Sequence, residues 1–305
     1  MIVRSKPSFL ALIGIVRLSI LPRIASQLIS IFLFSCIVVF FHNRYPWALH
    51  NWSVAPFTLL GVALSIFLGF RNNACYERWW EARRNLGMLV GEMSSWARVS
   101  VTLPGGLTAQ HRGRREQLVR GAIAYQYALT AHLRKTALPP AVATYMGGAL
   151  FSDGRAVPDQ ILRFLAKQVA GMLQDDEIGE QLYRVFDDRL TAFTAIQVAC
   201  ERIRTTPTPF TYTLLLHRTA YAYCFLLPLG LASTLGWGTP FFCALVAYAF
   251  FGLDALGDEL EEPFGTSINA LPLDALTRTV EISLLESLGE TDIPSPLLPV
   301  EYLLR

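Results

Sequence analysis

The sequence predicts an all-α, polytopic membrane protein with a large helical region outside the bilayer. Three observations carry that expectation. Of the 305 residues, 52% are hydrophobic and only 16% charged, which is more apolar than an ordinary soluble domain. The apolar residues gather into long uncharged runs, Ile24 to Asn43, Ser53 to Phe70 and Thr219 to Leu253. The charged remainder has helical spacing and lacks the alternating β-branched runs that mark strands.

The first two runs hold 20 and 18 residues, about enough to cross a hydrocarbon core at roughly 1.5 Å per residue. The third holds 35 residues and is interrupted by Gly236-Trp237-Gly238-Thr239-Pro240. That is too long for one span and suits two helices joined by a tight turn. Four spans are therefore expected, at about 24–43, 53–70, 212–235 and 240–256. No Pro and no turn cluster separates Phe70 from the basic, Trp-rich run Arg71 to Arg83. The second span should leave the membrane as one helix and continue into water.

Charge sets the orientation. Of 26 Lys and Arg, five lie in residues 1–70, which carry no acidic residue, and 18 lie in residues 71–204. Only Arg44 falls in a short loop that would be external. The positive-inside rule then gives cytoplasmic termini and an in–out–in–out–in path. The N-terminal apolar run is long and has no small-residue cleavage pattern, unlike a signal peptide. The expected organisation is residues 1–70 (N-terminal segment and spans one and two), 71–204 (cytoplasmic helices), 205–256 (the hairpin of spans three and four) and 257–305 (an acidic C-terminal helix and strap).

Within 71–204 the apolar positions Leu182, Val185, Phe186, Leu190, Phe193, Ile196 and Val198 recur at helical spacing. Breaks at Pro104-Gly105-Gly106, Pro139-Pro140 and Ser152-Asp153-Gly154 predict helices near 75–103, 109–137, 157–173 and 177–204. Residues 254–305 hold 11 acidic and two basic residues. Leu273, Leu276, Val280, Leu284 and Leu288 form an apolar stripe there, so 272–288 should dock rather than float. Pro294 to Pro299 reads as an extended strap. His217-Arg218 and Asp254 are charges inside or beside the spans. Arg218 and Asp254 both lie on the order of 26 Å from the turn at 236–240 by helical rise, so an interfacial ion pair between them is expected.

The wording of the second helix is specific. Phe67-Leu68-Gly69-Phe70-Arg71-Asn72-Asn73, followed by Tyr76 and Arg78-Trp79-Trp80, resembles the signature helix of the bestrophin family, its bacterial branch in particular. Two further segments resemble that family: Glu259-Leu260-Glu261-Glu262-Pro263-Phe264-Gly265, and Cys200-Glu201-Arg202-Ile203 through Thr206-Pro207-Thr208-Pro209-Phe210. The resemblance implies a homopentameric ion channel whose second spans line one axial pore. It assigns an apolar neck to Val62, Ile66 and Phe70 and, by a looser match, a cytoplasmic constriction to Leu182. Asn72, Asn73, Asp187 and Asp188 are candidate vestibule residues.

The residues alone do not choose the neck face, because Leu59, Leu60, Leu64 and Phe67 are equally apolar. Nor do they choose the permeant ion. Chloride follows from the animal members, whereas monovalent cations suit Asp187 and Asp188. In animal bestrophins the Pro-Phe-Gly segment opens a calcium clasp with an acidic run behind it. Here one Asp, Asp274, follows in nine residues, too few carboxylates for a dedicated calcium site.

Other functions fit less well. Transporters usually show six or more spans and inverted repeats, so a solute transporter is the lesser alternative. A helical membrane scaffold for cytoplasmic partners is the other. An enzyme is not expected. The five Cys (36, 75, 200, 224, 243) and five His have no metal-ligand pairing, and no phosphate loop or nucleophile elbow is present. No cofactor, metal, disulfide or nucleic acid is expected. The expected partners are further copies of the chain, the bilayer and permeant ions, with a bacterial inner membrane as the location.

Overall fold

The structure, a computed structural model, describes residues 1–4, 8, 14–45, 53–103, 109–148 and 157–305. Its helices are α1 (Leu21–Arg44), α2 (Ala55–Val101), α3 (Ala109–Arg134), α4 (Pro140–Tyr145), α5 (Val157–Gln174), α6 (Glu180–Thr205), α7 (Phe210–Leu235), α8 (Thr239–Glu261) and α9 (Leu273–Ser287). Among the described residues there are only isolated β-bridges and no strand. The five cysteines are free thiols. The chain forms two compact units, one from residues 4–79 and 207–263, the other from 1–3, 80–206 and 264–305.

The first unit contains α1, the start of α2, α7 and α8. A proline in the first turn starts α1 and α8, where its missing N–H costs nothing. Gly236 takes φ +50°, the left-handed conformation a glycine adopts freely, and ends α7. A single 3-10 turn, Gly236–Gly238, then leads into α8. The pairs Tyr223–Phe250 and Tyr221–Phe251, with ring centroids 5.4 and 4.6 Å apart, fix α7 and α8 as an antiparallel hairpin about this turn. Phe32 of α1 meets Phe241 of α8 edge to face at 5.4 Å. Ile31, Phe57, Leu64, Leu68, Leu227 and Phe251 belong to the buried core these helices share. Three helical stretches are long and apolar enough to cross a membrane: Leu21–Arg44, Ala55–Val101 and Phe210–Glu261. The last contains both arms of the hairpin.

The second unit is a helical bundle. Trp96 of α2 is fully buried, sits edge to face on Phe186 at 5.1 Å, and donates its indole N–H to the Leu118 carbonyl at 2.9 Å. Tyr125 stacks on Phe193 at 5.6 Å and donates its hydroxyl to the Phe193 carbonyl. Acidic α9 packs on basic α3. Arg134 pairs with Asp274, and beyond the helix end Arg120 pairs with Glu290. The Tyr127 and Tyr145 hydroxyls donate to the buried Glu281 at 2.8 and 2.6 Å.

The chain ends meet in this unit. The Met1 amino group donates to the Leu304 carbonyl at 2.6 Å, and the Val3 N–H to the Tyr302 carbonyl at 2.8 Å. The expected break at Pro139-Pro140 separates α3 from α4, a short helix the sequence reading omits. The expected breaks at 104–106 and 152–154 lie outside the described residues.

Glycine permits close packing in the first unit. A methyl group on Gly230 of α7 would sit 2.6 Å from the Phe57 ring of α2. Gly230→Ala is therefore expected to destabilise the protein by about 1–3 kcal/mol, as overpacking does. Thermal unfolding in detergent checks this, and Phe57→Leu in the same chain should recover part of the loss.

Candidate functional site

The second helix shows two different faces to the rest of its unit. Successive residues turn by about 100° at 3.6 residues per turn, so Phe57, Gly61, Leu64, Leu68 and Arg71 share one side. Leu64 is 2% exposed and Leu68 0%, both packed into the core. A methyl on Gly61 would lie 2.6 Å from the Tyr223 hydroxyl, which holds this side hard against α7. Val62, Ile66 and Phe70 fall on the opposite side, and there they are 56%, 52% and 65% exposed. Among the described residues they are left more than half uncovered. Leu59 and Phe67 border the same free surface at 75% and 49%.

Arg71 ends the packed side and is 1% exposed. Its Nη1 donates to Asp254 Oδ1 at 2.6 Å and to the Asp254 carbonyl at 3.2 Å, and its Nη2 to Asp258 Oδ1 at 2.6 Å. Glu261 Oε2 lies 3.8 Å away. The acceptors stand at i, i+4 and i+7 on α8, which places them on one helix face. Asp254, itself buried, uses its other oxygen for His217 Nδ1 at 2.7 Å. Arg23 of α1 reaches Asp258 and Glu259 at 3.1 and 3.4 Å. Glu261 accepts from the Thr208 N–H and hydroxyl, while its carbonyl accepts from Arg78 Nε. Every helix of this unit thus sends a group to one polar network. A buried charge is tolerated only when paired and hydrogen-bonded in this way.

The expected ion pair between Arg218 and Asp254 is not formed. Helical azimuth decides against it: Arg218 lies about 160° around α7 from buried Ala220 and is exposed, whereas neighbouring His217 turns toward α8. Depth alone placed Arg218 and Asp254 at one level and missed Arg71, although Arg71 closes the apolar run at that same level. The i, i+4, i+7 carboxylates of α8 were the signal in the sequence that asked for such a partner.

Asn72 and Asn73 diverge as well. Asn72 turns inward, donating to the Leu68 carbonyl, and its Oδ1 would be 3.0 Å from a methyl on Gly257. Asn73 is exposed on the same side as Ile66 and Phe70 and donates to Glu77. In the bundle unit Leu182 is half-buried at the border of the apolar face of α6. Asp187 and Asp188 are exposed, about 140° and 120° around the helix from Leu182, so the structure does not group these three.

Removing one partner from the buried network strands the other charge. Asp254→Asn is expected to cost about 3–5 kcal/mol, the range for a broken buried pair. Asp258→Asn, at a half-exposed position, should cost less. The order of the two unfolding midpoints in detergent checks the assignment.

The comparisons with known proteins bear on the whole chain. A family model described as bacterial/fungal bestrophin protein matches residues 1–286. A voltage-dependent anion channel-forming protein of Mesorhizobium japonicum is 45% identical over 99% of this chain and 96% of its own length. The voltage-dependent anion channel-forming protein YneE of Escherichia coli K12 is 39% identical over 98% of each. The crystal structure of a bacterial bestrophin homolog from Klebsiella pneumoniae superposes with a TM-score of 0.80 at 33% identity, over 88% of this chain and 99% of that one. With its signature helix, its helical hairpin and these matches over nearly its full length, the chain belongs to the bacterial bestrophin family.

Proposed function

We propose that the protein is one subunit of a homopentameric anion channel with four membrane-spanning helices per subunit. The spans are the uncharged stretches near 24–43, 53–70, 212–235 and 240–256. Both termini and the bundle unit are cytoplasmic, and the location is a bacterial inner membrane. The observation that carries the reading is the free face of α2. Val62, Ile66 and Phe70 form an apolar row that the described residues leave more than half exposed, while the other side of the helix is anchored by close packing and by Arg71. Five copies around an axis bring such rows together as rings, and closure of the ring needs a head-to-tail interface between subunits. Rings of apolar side chains gate by dewetting and let ions pass when wide.

The neck carries no charge, so the choice of anion rests on the names of the relatives, which are called anion channel-forming proteins. Leu182 is retained as the candidate for a second constriction. Asp187 and Asp188, exposed on α6, are the residues that would favour cations instead.

Purified protein in a planar bilayer under a salt gradient should reverse near the chloride equilibrium potential. Reversal near the cation potential would overturn the anion assignment and shift attention to the two aspartates. Ile66→Ala should raise single-channel current without loss of the oligomer, and an unchanged current in a verified pentamer would argue against this face as the neck. Micromolar calcium should leave the current unchanged, because Asp274, the one acid closely following Pro263-Phe264-Gly265, is held by Arg134 at 2.5 Å.

A further inference from the structure

A cleft of about 530 Å³ opens in the bundle unit where the ends of α3 and α6 meet the first turn of α5. Pockets of roughly 300–1,000 Å³ are the usual size for small-molecule sites. Ala128, Ala131, Leu138, Val157 and Pro158 make its walls apolar, and Lys135 and Arg204 bring charge to it beside His132 and Thr136.

Neither cation is neutralised by a carboxylate, unlike several arginines of the same unit. In the same unit Arg114, Arg120, Arg134, Arg189 and Arg202 each have a carboxylate within 4 Å. Among the described residues neither Lys135 nor Arg204 has one. Arg204 gives Nη1 to the His132 carbonyl, which caps α3 and fixes the guanidinium at the cleft. The neighbouring carboxylate, Glu201, is already engaged by His132 Nε2 at 3.3 Å and Gln197 Nε2 at 3.0 Å. Burial, and then the Arg204 guanidinium, pull the His132 imidazole below its ordinary pKa, so near neutral pH it adds no positive charge.

Lys135 also occupies an unusual place. It takes φ +57° just past the end of α3, and the Thr136 N–H closes back on the Ala131 carbonyl at 3.0 Å, as in a Schellman cap. Glycine serves that position without steric cost. A lysine there accepts strain and carries a charge to the rim of the cleft.

We propose that this cleft binds a small organic monoanion, a carboxylate on an apolar body about the size of one aromatic ring. Two positive charges, one held by the His132 carbonyl and one at the exposed rim, with Glu201 offsetting part of the pair, match a single negative charge. The apolar walls favour an organic anion over a hydrated inorganic one, since burying apolar surface supplies affinity that chloride cannot gain. The site lies within the bundle unit and does not depend on the channel reading.

The test is calorimetric titration of the full chain in detergent with sodium benzoate and, separately, with benzamide, its neutral counterpart. Benzoate should bind and benzamide should not at the same concentrations. Lys135→Gln should weaken benzoate about fivefold, the loss expected for one partly exposed charge contact, with the unfolding midpoint of the unliganded protein unmoved. Arg204→Gln also removes the cap on the His132 carbonyl and risks the fold, so Lys135→Gln is the deciding variant. No benzoate binding, equal binding of benzamide, or full benzoate affinity in Lys135→Gln would each overturn the proposal.

Discussion

The guanidinium of Arg71, almost sealed from water, is the constraint on which the first unit turns. An arginine at this burial cannot give up its proton, so the fold must bring it negative charge. Asp254 and Asp258 supply that charge directly, Glu261 adds to it at longer range, and His217 shares Asp254. A network of this kind is weak evidence for net stability, because desolvation offsets much of the attraction. What it does decide is geometry. With Arg71 tied to α8 and Gly61 pressed on Tyr223, α2 has one permitted rotation about its own axis. The apolar row Val62, Ile66 and Phe70 is then turned away from α7 and α8 as a consequence.

This reverses the usual order of argument about an apolar helix. Hydrophobicity says little about α2, since apolar residues surround it in the sequence. The informative residues are the smallest and the most polar. Gly61 marks where another side chain comes closest, and Arg71 marks where carboxylates must converge. The same holds in the hairpin, where Gly230 against Phe57 and Gly257 beside Arg71 and Asn72 mark close contacts of α7 and α8 with α2.

Much of the architecture was legible in the sequence because it follows from local rules. Uncharged runs gave the long helices, Gly236 and Pro240 gave the turn of the hairpin, and the missing break after Phe70 gave α2 its 47 residues. What escaped depends on azimuth or on distance along the chain. Arg218 and His217 are neighbours in sequence but face different surroundings. Leu182 and the Asp187-Asp188 pair are close in sequence and separated around α6. Lys135 and Arg204 share a cleft across about seventy residues, which no periodicity reveals. The short α4 escapes because Pro139-Pro140 reads as a break, although Pro140 is well suited to a first helical turn and begins that helix.

The meeting of the chain ends has a consequence for biosynthesis. The bundle unit is stitched from residues 1–3, 80–206 and 264–305, and its first residues hydrogen-bond to Tyr302 and Leu304. Domains generally fold as units, the N-terminal one first, while the chain is still being made. Here the earliest residues must wait unpaired while the hairpin of α7 and α8 is translated, and they find their partners only when residues 302–304 leave the ribosome. This unit therefore cannot close before residues 302–304 are made, and a chain stalled before residue 302 would present an open edge that the folded unit covers.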